Sequence, residues 1–321
     1  MRLLITGGSG FIGTHLVDLL LEKGHEFVNV SDVAPKKTTH LRFWIECDLA
    51  DVHKLKRIFR EFKPEGVVHL AARTDVGYTS INDYSINVLM TKNIIEIIRE
   101  MSSVRRLMLA STQLVHRPGH LPEGDDDYEP GNPYAASKVE CEKLLREYEL
   151  ECIWTIIRPV YIWGPWYPDF RYPIWKLIRR GVYFFPGRRA GTRCYGYVGN
   201  TVRQIERLII APDEEVNRKV FYLGDQHMKS IDWINAFSVA MTGRKVKIMP
   251  EVIARASGKM GDILLKFGIP FILNSQRLSN LLEDYYVPLE PTLDLIGEPE
   301  ITLEQGVIET VEWLKEKKLI M

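Results

Sequence analysis

Cysteine is scarce in this chain: four residues (Cys47, Cys141, Cys152 and Cys194) among 321, with no C-x-x-C pair. That excludes a zinc ribbon or a disulfide framework, and the thiols read as reduced and cytosolic. An excess of one charge is lacking too, since Lys plus Arg and Asp plus Glu both number 42. A balanced chain gives no overall electrostatic case for nucleic acid or an anionic membrane. No uncharged run approaches the ~18 residues of a transmembrane helix. The N-terminal LLIT runs into glycines, and the next apolar run carries Asp18 and Glu22, unlike a secretory signal. Repeats and low-complexity tracts are absent as well. With 45% apolar residues, the chain reads as a soluble, cytoplasmic protein with a sizeable core.

Short β-type runs alternate with helical patterns through the first half. Strands are expected at 2–6, 26–32, 66–72, 105–111 and 152–160, and helices at 11–24, 51–62, 87–101 and 133–149. Strands alternating with helices of this length imply βαβ units and a parallel sheet covered on both faces. Beyond residue 164 the pattern loosens: GPWYPDFRYP is aromatic and proline-rich, 199–211 and 230–243 look helical, and 220–224 is a short strand. The division expected is a nucleotide-binding domain over 1–164 and a smaller lobe over 165–321, with about 193–225 returning to the first domain.

Directly after the first strand stands TGGSGFIG. Gly8, Gly10 and Gly13 satisfy G-x-G-x-x-G, and Gly7, Gly10 and Gly13 the related G-x-x-G-x-x-G. Glycines there allow a tight turn and close approach of backbone to a pyrophosphate, which the following helix faces with its N–H groups. Asp32 closes the second strand, where a carboxylate accepts both ribose hydroxyls and repels a 2′-phosphate. The cofactor expected is therefore NAD, with NADP less favoured; Lys36 and Lys37 nearby weigh the other way. Asp48 in CDLAD is read either as a contact to adenine or as a cap for the next helix.

Tyr134 and Lys138, in PYAASK, lie four apart on one helical face. An ammonium beside a phenol favours the phenolate and makes tyrosine a usable acid/base. Ser111, at the end of a buried strand, supplies a third polar group.

Taken together, these residues resemble the extended short-chain dehydrogenase/reductases, the NAD-dependent epimerase/dehydratase family. TGGSGFIG, CDL, HLAA, Asn87, PYAASK, RPVYIWGP and LEQGVIETVEWLK resemble its signatures in order along nearly the whole chain. The resemblance implies an α/β fold, a Rossmann-type doubly wound parallel sheet with a smaller, intertwined C-terminal substrate lobe. It implies Ser111, Tyr134 and Lys138 as catalytic residues. It also implies Gly7, Gly10, Phe11, Ile12, Gly13, Asp32, Asp48, Leu49, Ala71, Asn87 and Lys138 around NAD. Arg193 in RCYGYV corresponds to an arginine that clamps the diphosphate of a nucleotide sugar; Tyr161, Thr112 and Gln113 are the other substrate candidates. Two departures stand out: Tyr161 occupies the place of a frequent asparagine, and Leu114-Val115-His116 replaces V-Y-G after the catalytic serine.

Dehydratases and decarboxylases of the family need acidic residues just after the catalytic Ser/Thr, where this chain has Thr112 and Gln113. Glutamine has the shape of glutamate but cannot take up a proton as a base. The leading expectation is an NAD-dependent nucleotide-sugar epimerase acting through a 4-keto sugar. A 4-keto sugar reductase is the alternative, and a catalytically inactive NAD-binding protein the second. No metal is expected, since His25, His69 and His116 lack ligand spacing; His69 reads as packed and His116 is unassigned. Trp163, Trp166, Tyr167 and Phe170 read equally as substrate lining or lobe core. The segment 251–282 is amphipathic with few acids and reads as a lid, a subunit contact or a membrane-surface helix. By resemblance, helices 87–101 and 134–149 pair in a homodimer.

Overall fold

The computed structural model describes residues 1–75, 80–171, 174–269, 271 and 273–320. The first half holds β1 (Leu3–Thr6), α1 (Phe11–Glu22), β2 (Phe27–Ser31), β3 (Trp44–Glu46), α2 (Val52–Phe62), β4 (Gly66–His69) and α3 (Ser85–Arg99). It continues with β5 (Arg106–Ala110), α4 (Pro133–Glu147) and β6 (Ile153–Pro159). The second half holds β7 (Tyr161–Trp163), α5 (Ile174–Arg179), β8 (Phe184–Pro186), β9 (Thr192–Tyr197), α6 (Val198–Ile210), α7 (Asp213–Val216) and β10 (Lys219–Leu223). Then come β11 (Gln226–Lys229), α8 (Ser230–Thr242), β12 (Lys247–Met249), α9 (Glu251–Lys266), α10 (Ser275–Leu282), α11 (Glu290–Ile296) and α12 (Leu303–Glu316).

The chain divides into two compact units, 1–160 with 198–224 and 288–298, and 161–197 with 225–287 and 299–321. The border falls at 160 rather than 164, residues 193–197 stay in the second unit, and 288–298 returns to the first. The last return is tied down by Thr292, whose hydroxyl donates to the Tyr222 carbonyl at 2.8 Å. No local pattern announces such a long-range bond.

In the first unit seven parallel strands form a Rossmann-type doubly wound sheet in the order β10-β6-β5-β4-β1-β2-β3. Its near-continuous apolar strands follow from burial on both faces. Leu4, Val67, Leu107 and Leu109 point to one side, against Leu55, Ile58 and Phe59 of α2 and Ile94 and Ile98 of α3. Leu3, Ile5, Val68 and Met108 point to the other, against Leu16 and Leu20 of α1 and Val202 and Ile205 of α6. The short edge strand β3 is not signalled in the sequence: three half-exposed or exposed residues show no alternation.

Helix α4 begins where its residues say it should. Asn132 caps it, accepting the Ala135 N–H at 2.8 Å, and Pro133 takes the first turn, where its missing N–H costs nothing. The far end is held by a wholly buried ion pair. Arg158 of β6 grips Glu142 bidentately, at 3.0 Å from Nε and 2.7 Å from Nη2. Tyr222 accepts from Nη1 at 2.9 Å, the Asp125 carbonyl accepts from Nη2 at 2.5 Å, and Tyr128 donates to Glu142 at 3.0 Å. His116 finds its place here: Arg158 Nη1 lies 3.2 Å from its Nε2, which accepts, and burial together with that guanidinium pulls the imidazole down to about 4.

The second unit has a three-stranded sheet, β11-β9-β7, and a two-stranded one, β12-β8. Trp163 and Phe170 are 1% exposed and pack with Trp175, Trp233 and Phe237, so they are lobe core. Glu142→Gln should lower unfolding free energy by about 3–5 kcal/mol in urea titrations, because it leaves a buried guanidinium without its counter-charge. Replacing both partners, Glu142→Leu with Arg158→Met, should recover most of that loss.

Candidate active site

The glycine-rich turn lies between β1 and α1, at the C-terminal end of the sheet. Gly7 has φ +71°, and a Cβ there would sit 2.7 Å from the Ala71 nitrogen. A Cβ on Gly13 would sit 2.2 Å from the Gly7 carbonyl oxygen. The turn is thus closed against itself and against the chain leaving β4, and side chains are excluded from it. Gly10 is the N-cap of α1 and offers no side-chain cap, so the helix end, with Phe11 and Ile12 in its first turn, faces outward unsatisfied by its own residue. That is the arrangement an anionic diphosphate requires.

Asp32, exposed just after β2, makes no hydrogen bond or ion pair among the described residues. Lys37 is drawn away from it to Asp18, at 2.6 Å, and His40 holds the other Asp18 oxygen at 2.9 Å. Asp48 is not the cap of α2. That role belongs to Asp51, which accepts the Lys54 N–H at 3.0 Å, while the Asp48 carboxylate accepts the Ala50 N–H at 2.8 Å and stays exposed. Leu49 is 3% exposed within the core, and its carbonyl accepts from Asn93 at 2.9 Å.

Asn87 bridges two elements through its side-chain amide. Its Oδ1 accepts the Arg73 N–H at 2.7 Å, and its Nδ2 donates to the Arg73 carbonyl and to Ser137 Oγ, both at 3.1 Å. Ser137 in turn donates to the Tyr134 carbonyl at 2.7 Å. The amide therefore latches the segment after β4 to α4.

His69 is packed, as its sequence suggests, yet every ring nitrogen is used. Nδ1 lies 2.6 Å from Thr6 Oγ1, and Nε2 3.3 Å from Thr91 Oγ1, which donates to the Asn87 carbonyl at 2.9 Å. Thr6 Oγ1 accepts the Ala71 N–H at 3.3 Å. Consistent donor roles give a neutral ring protonated on Nε2. Burial, aided by the Lys138 ammonium, pulls this imidazole down to about 3. The sequence hides this chain of bonds, because its members come from three elements.

Ser111 follows the last residue of β5, its N–H donating to the Ile157 carbonyl at 2.7 Å. Its hydroxyl is buried with no hydrogen-bond partner among the described residues, a polar atom poised for a ligand oxygen. Thr112 accepts the Leu114 N–H at 3.3 Å and shares a hydrogen bond with the Tyr134 phenol, which joins the strand mouth to α4. Gln113 is buried in the adjoining turn. Lys138, one turn along α4, is 2% exposed, and burial lowers its pKa. Burial pushes the Tyr134 phenol above its usual range, against the Thr112 hydrogen bond that pulls it down. The lowering by Lys138 expected from the sequence is not the governing effect in this structure.

Tyr161 and Arg193 belong to the second unit, on the paired strands β7 and β9. Tyr161 meets Tyr167, Tyr195 and Trp233 edge-on, at 5.5–5.7 Å between ring centroids. Arg193 lies over the Tyr285 ring at 5.5 Å, its Nε and Nη2 buried without hydrogen-bond partners among the described residues.

A glycine-lined dinucleotide turn on a doubly wound sheet, with Ser, Tyr and Lys around one strand mouth, defines a nicotinamide-dependent enzyme of the extended short-chain dehydrogenase/reductase type. Residues 3–224 match the model of the NAD dependent epimerase/dehydratase family. The chain belongs to that family, and NAD is its cofactor. The UDP-glucose 4-epimerase of Mycolicibacterium smegmatis is 33% identical over 183 residues, 51% of this chain and 57% of that protein. The UDP-glucuronate 4-epimerase of Thermodesulfobacterium geofontis is 26% identical over 341 residues, 98% of this chain and 96% of that one. The fold is shared with the Thermotoga maritima UDP-glucose 4-epimerase solved with UDP-glucose: TM-score 0.75, 22% identity, covering 99% of this chain and 100% of that one.

Gly13→Ala should weaken NAD binding about tenfold or more by calorimetry, since the added methyl must push the Gly7 carbonyl out of the turn. Stability should fall as pH drops from 6.5 toward about 3, because the unfolded His69 takes up a proton that the folded ring refuses. Urea midpoints of His69→Asn against pH should show a shallower acid loss, with the His116 contribution persisting down to about 4.

Proposed function

We propose that the protein is an NAD-dependent 4-epimerase of a nucleotide sugar. The observation that carries this reading is the strand mouth itself. It presents the unpartnered Ser111 hydroxyl beside Tyr134, while Thr112 and Gln113 supply no carboxylate for removing a further proton. Bound NAD would supply the reversible hydride acceptor and a positively charged ring. Tyr134 Oη takes the proton of the sugar hydroxyl and later returns it, and Ser111 Oγ holds the same oxygen through both steps. The high phenol pKa imposed by burial favours the protonated form needed for the return. Lys138, on the same face of α4, would hold the nicotinamide ribose, and the positive nicotinamide ring would supply the charge that favours the phenolate for the outward transfer.

Arg193, with buried guanidinium nitrogens still unbonded, suits a diphosphate, whose oxygens a guanidinium meets with paired hydrogen bonds. The names of the two relatives, both 4-epimerases of UDP sugars, support the same substrate class. Pairing of α3 and α4 across a two-fold axis completes the proposal, with Leu89 of α3 44% exposed.

The test is a panel of nucleotide sugars incubated with purified protein, with and without NAD(H). Interconversion of 4-epimers with no net change in NADH is the expected result. Stoichiometric NADH consumption by a 4-keto sugar would replace it with the reductase reading, and NAD binding without turnover of any sugar would sink both. Tyr134→Phe should reduce turnover by ~10²–10⁴-fold while leaving NAD affinity near that of the parent.

A further inference from the structure

Helix α9 is packed inside out for a helix in water. The residues it buries are small: Ala254, Gly258 and Gly261, at i, i+4 and i+7. A Cβ on Gly261 would lie 2.0 Å from the Leu273 carbonyl oxygen, and one on Gly258 3.5 Å from the Ser275 nitrogen. The helix backbone therefore rests directly on the chain that leads into α10. The diametrically opposite face carries Val252, Met260, Ile263 and Phe267, which are 81%, 55%, 52% and 77% exposed. Ile253, Leu265 and Ile269 are exposed as well. An amphipathic helix of a globular unit places its large apolar side chains inward, so a stripe of this kind calls for something to cover it.

The charges along the helix say what. At 100° per residue, Arg255, Lys259 and Lys266 fall along one edge of the apolar stripe. The two acids of the helix are already engaged: Glu251 pairs with Arg255 at 2.7 Å, and Asp262 accepts the Ser275 N–H at 3.1 Å and its hydroxyl at 2.5 Å. Neither Lys259 nor Lys266 takes part in an ion pair among the described residues. The overall charge of the chain is zero, yet this face is apolar with a cationic border. The preceding ribbon extends its character, with exposed Val182, Phe184 and Ile248, and Lys247 over the Phe184 ring at 5.9 Å. A second copy packed antiparallel on the stripe would set basic edge against basic edge. An exposed apolar stripe edged with unpaired lysines has the geometry of a helix that lies on a bilayer.

We propose that α9 is a membrane-surface anchor for bilayers carrying anionic headgroups. Val252, Met260, Ile263 and Phe267 enter the acyl boundary, and Lys259 and Lys266 meet the lipid phosphates. The inference does not rest on the epimerase reading, since neither the stripe nor its basic border includes a residue of the Ser111–Tyr134–Lys138 site.

The test is sedimentation of the full chain with vesicles of phosphatidylcholine alone, or of phosphatidylcholine mixed with phosphatidylglycerol. Binding to the mixed vesicles, weakened by salt and absent on phosphatidylcholine alone, is the expected result. Lys259→Gln with Lys266→Gln should reduce that binding on the order of 10–30-fold. Val252→Glu with Phe267→Glu should abolish it, while NAD affinity and molar mass in solution stay unchanged. Failure of the parent protein to bind mixed vesicles would overturn the proposal. So would a fall in molar mass of the Val252→Glu, Phe267→Glu protein without vesicles, which would make the stripe a contact between copies.

Discussion

Arg158 and Glu142 meet with no contact to water, and their bond seats the helix that carries Tyr134 and Lys138 upon the sheet. Two charges in an apolar interior are costly unless each is paired and its remaining donors and acceptors are satisfied. Here the ion pair is surrounded by Tyr222, Tyr128, His116 and the Asp125 carbonyl. Such a network tolerates little displacement, which fixes where α4 lies along β6. Glu142 is one turn beyond Lys138, as Lys138 is one turn beyond Tyr134, so the Tyr134 phenol inherits its position from a bond two turns away.

A second constraint works from the opposite side. The bonds running from the Ala71 N–H through Thr6, His69 and Thr91 to Asn87, and from Asn87 to Ser137, join the glycine-rich turn to the catalytic helix. The floor under the cofactor and the acid/base residue are thus held in one frame. The frame is made of neutral groups, consistent with an imidazole kept deprotonated by its burial. Lys138 stands beside it as a cation whose own charge burial disfavours.

Much of this was legible in the residues. The strand–glycine–helix succession, Asp32, and the spacing of Tyr134 and Lys138 depend on neighbours a few positions apart, and such patterns survive in one dimension. The expected strands overrun the ladder by one residue at most ends and by three in 66–72 against β4, because Leu70, Ala71 and Ala72 continue the apolar run after the pairing stops. The bonds that Asn87 makes were not legible, because its partners Arg73 and Ser137 are 14 and 50 residues away. His116 had no reading at all until Arg158, 42 residues on, was seen to donate to it. The role of Asp48 turned on a difference of three residues, too fine for a propensity argument to separate from Asp51.

By itself the sequence determined the class of fold, the glycine-rich turn and the spacing that puts Tyr134 and Lys138 on one face of a helix. Each of these is set by short-range spacing and by the chemistry of individual residue types. Only the tertiary structure decided that Asn87 is a latch, that Trp163 and Phe170 are core, that 288–298 returns to the first unit, and that α9 turns its large apolar residues outward. The amphipathic spacing of 251–282 is the same whichever face is buried. Which face packs is decided by the close approach of Gly258 and Gly261 to residues 273–275, a contact that hydrophobic periodicity alone cannot specify.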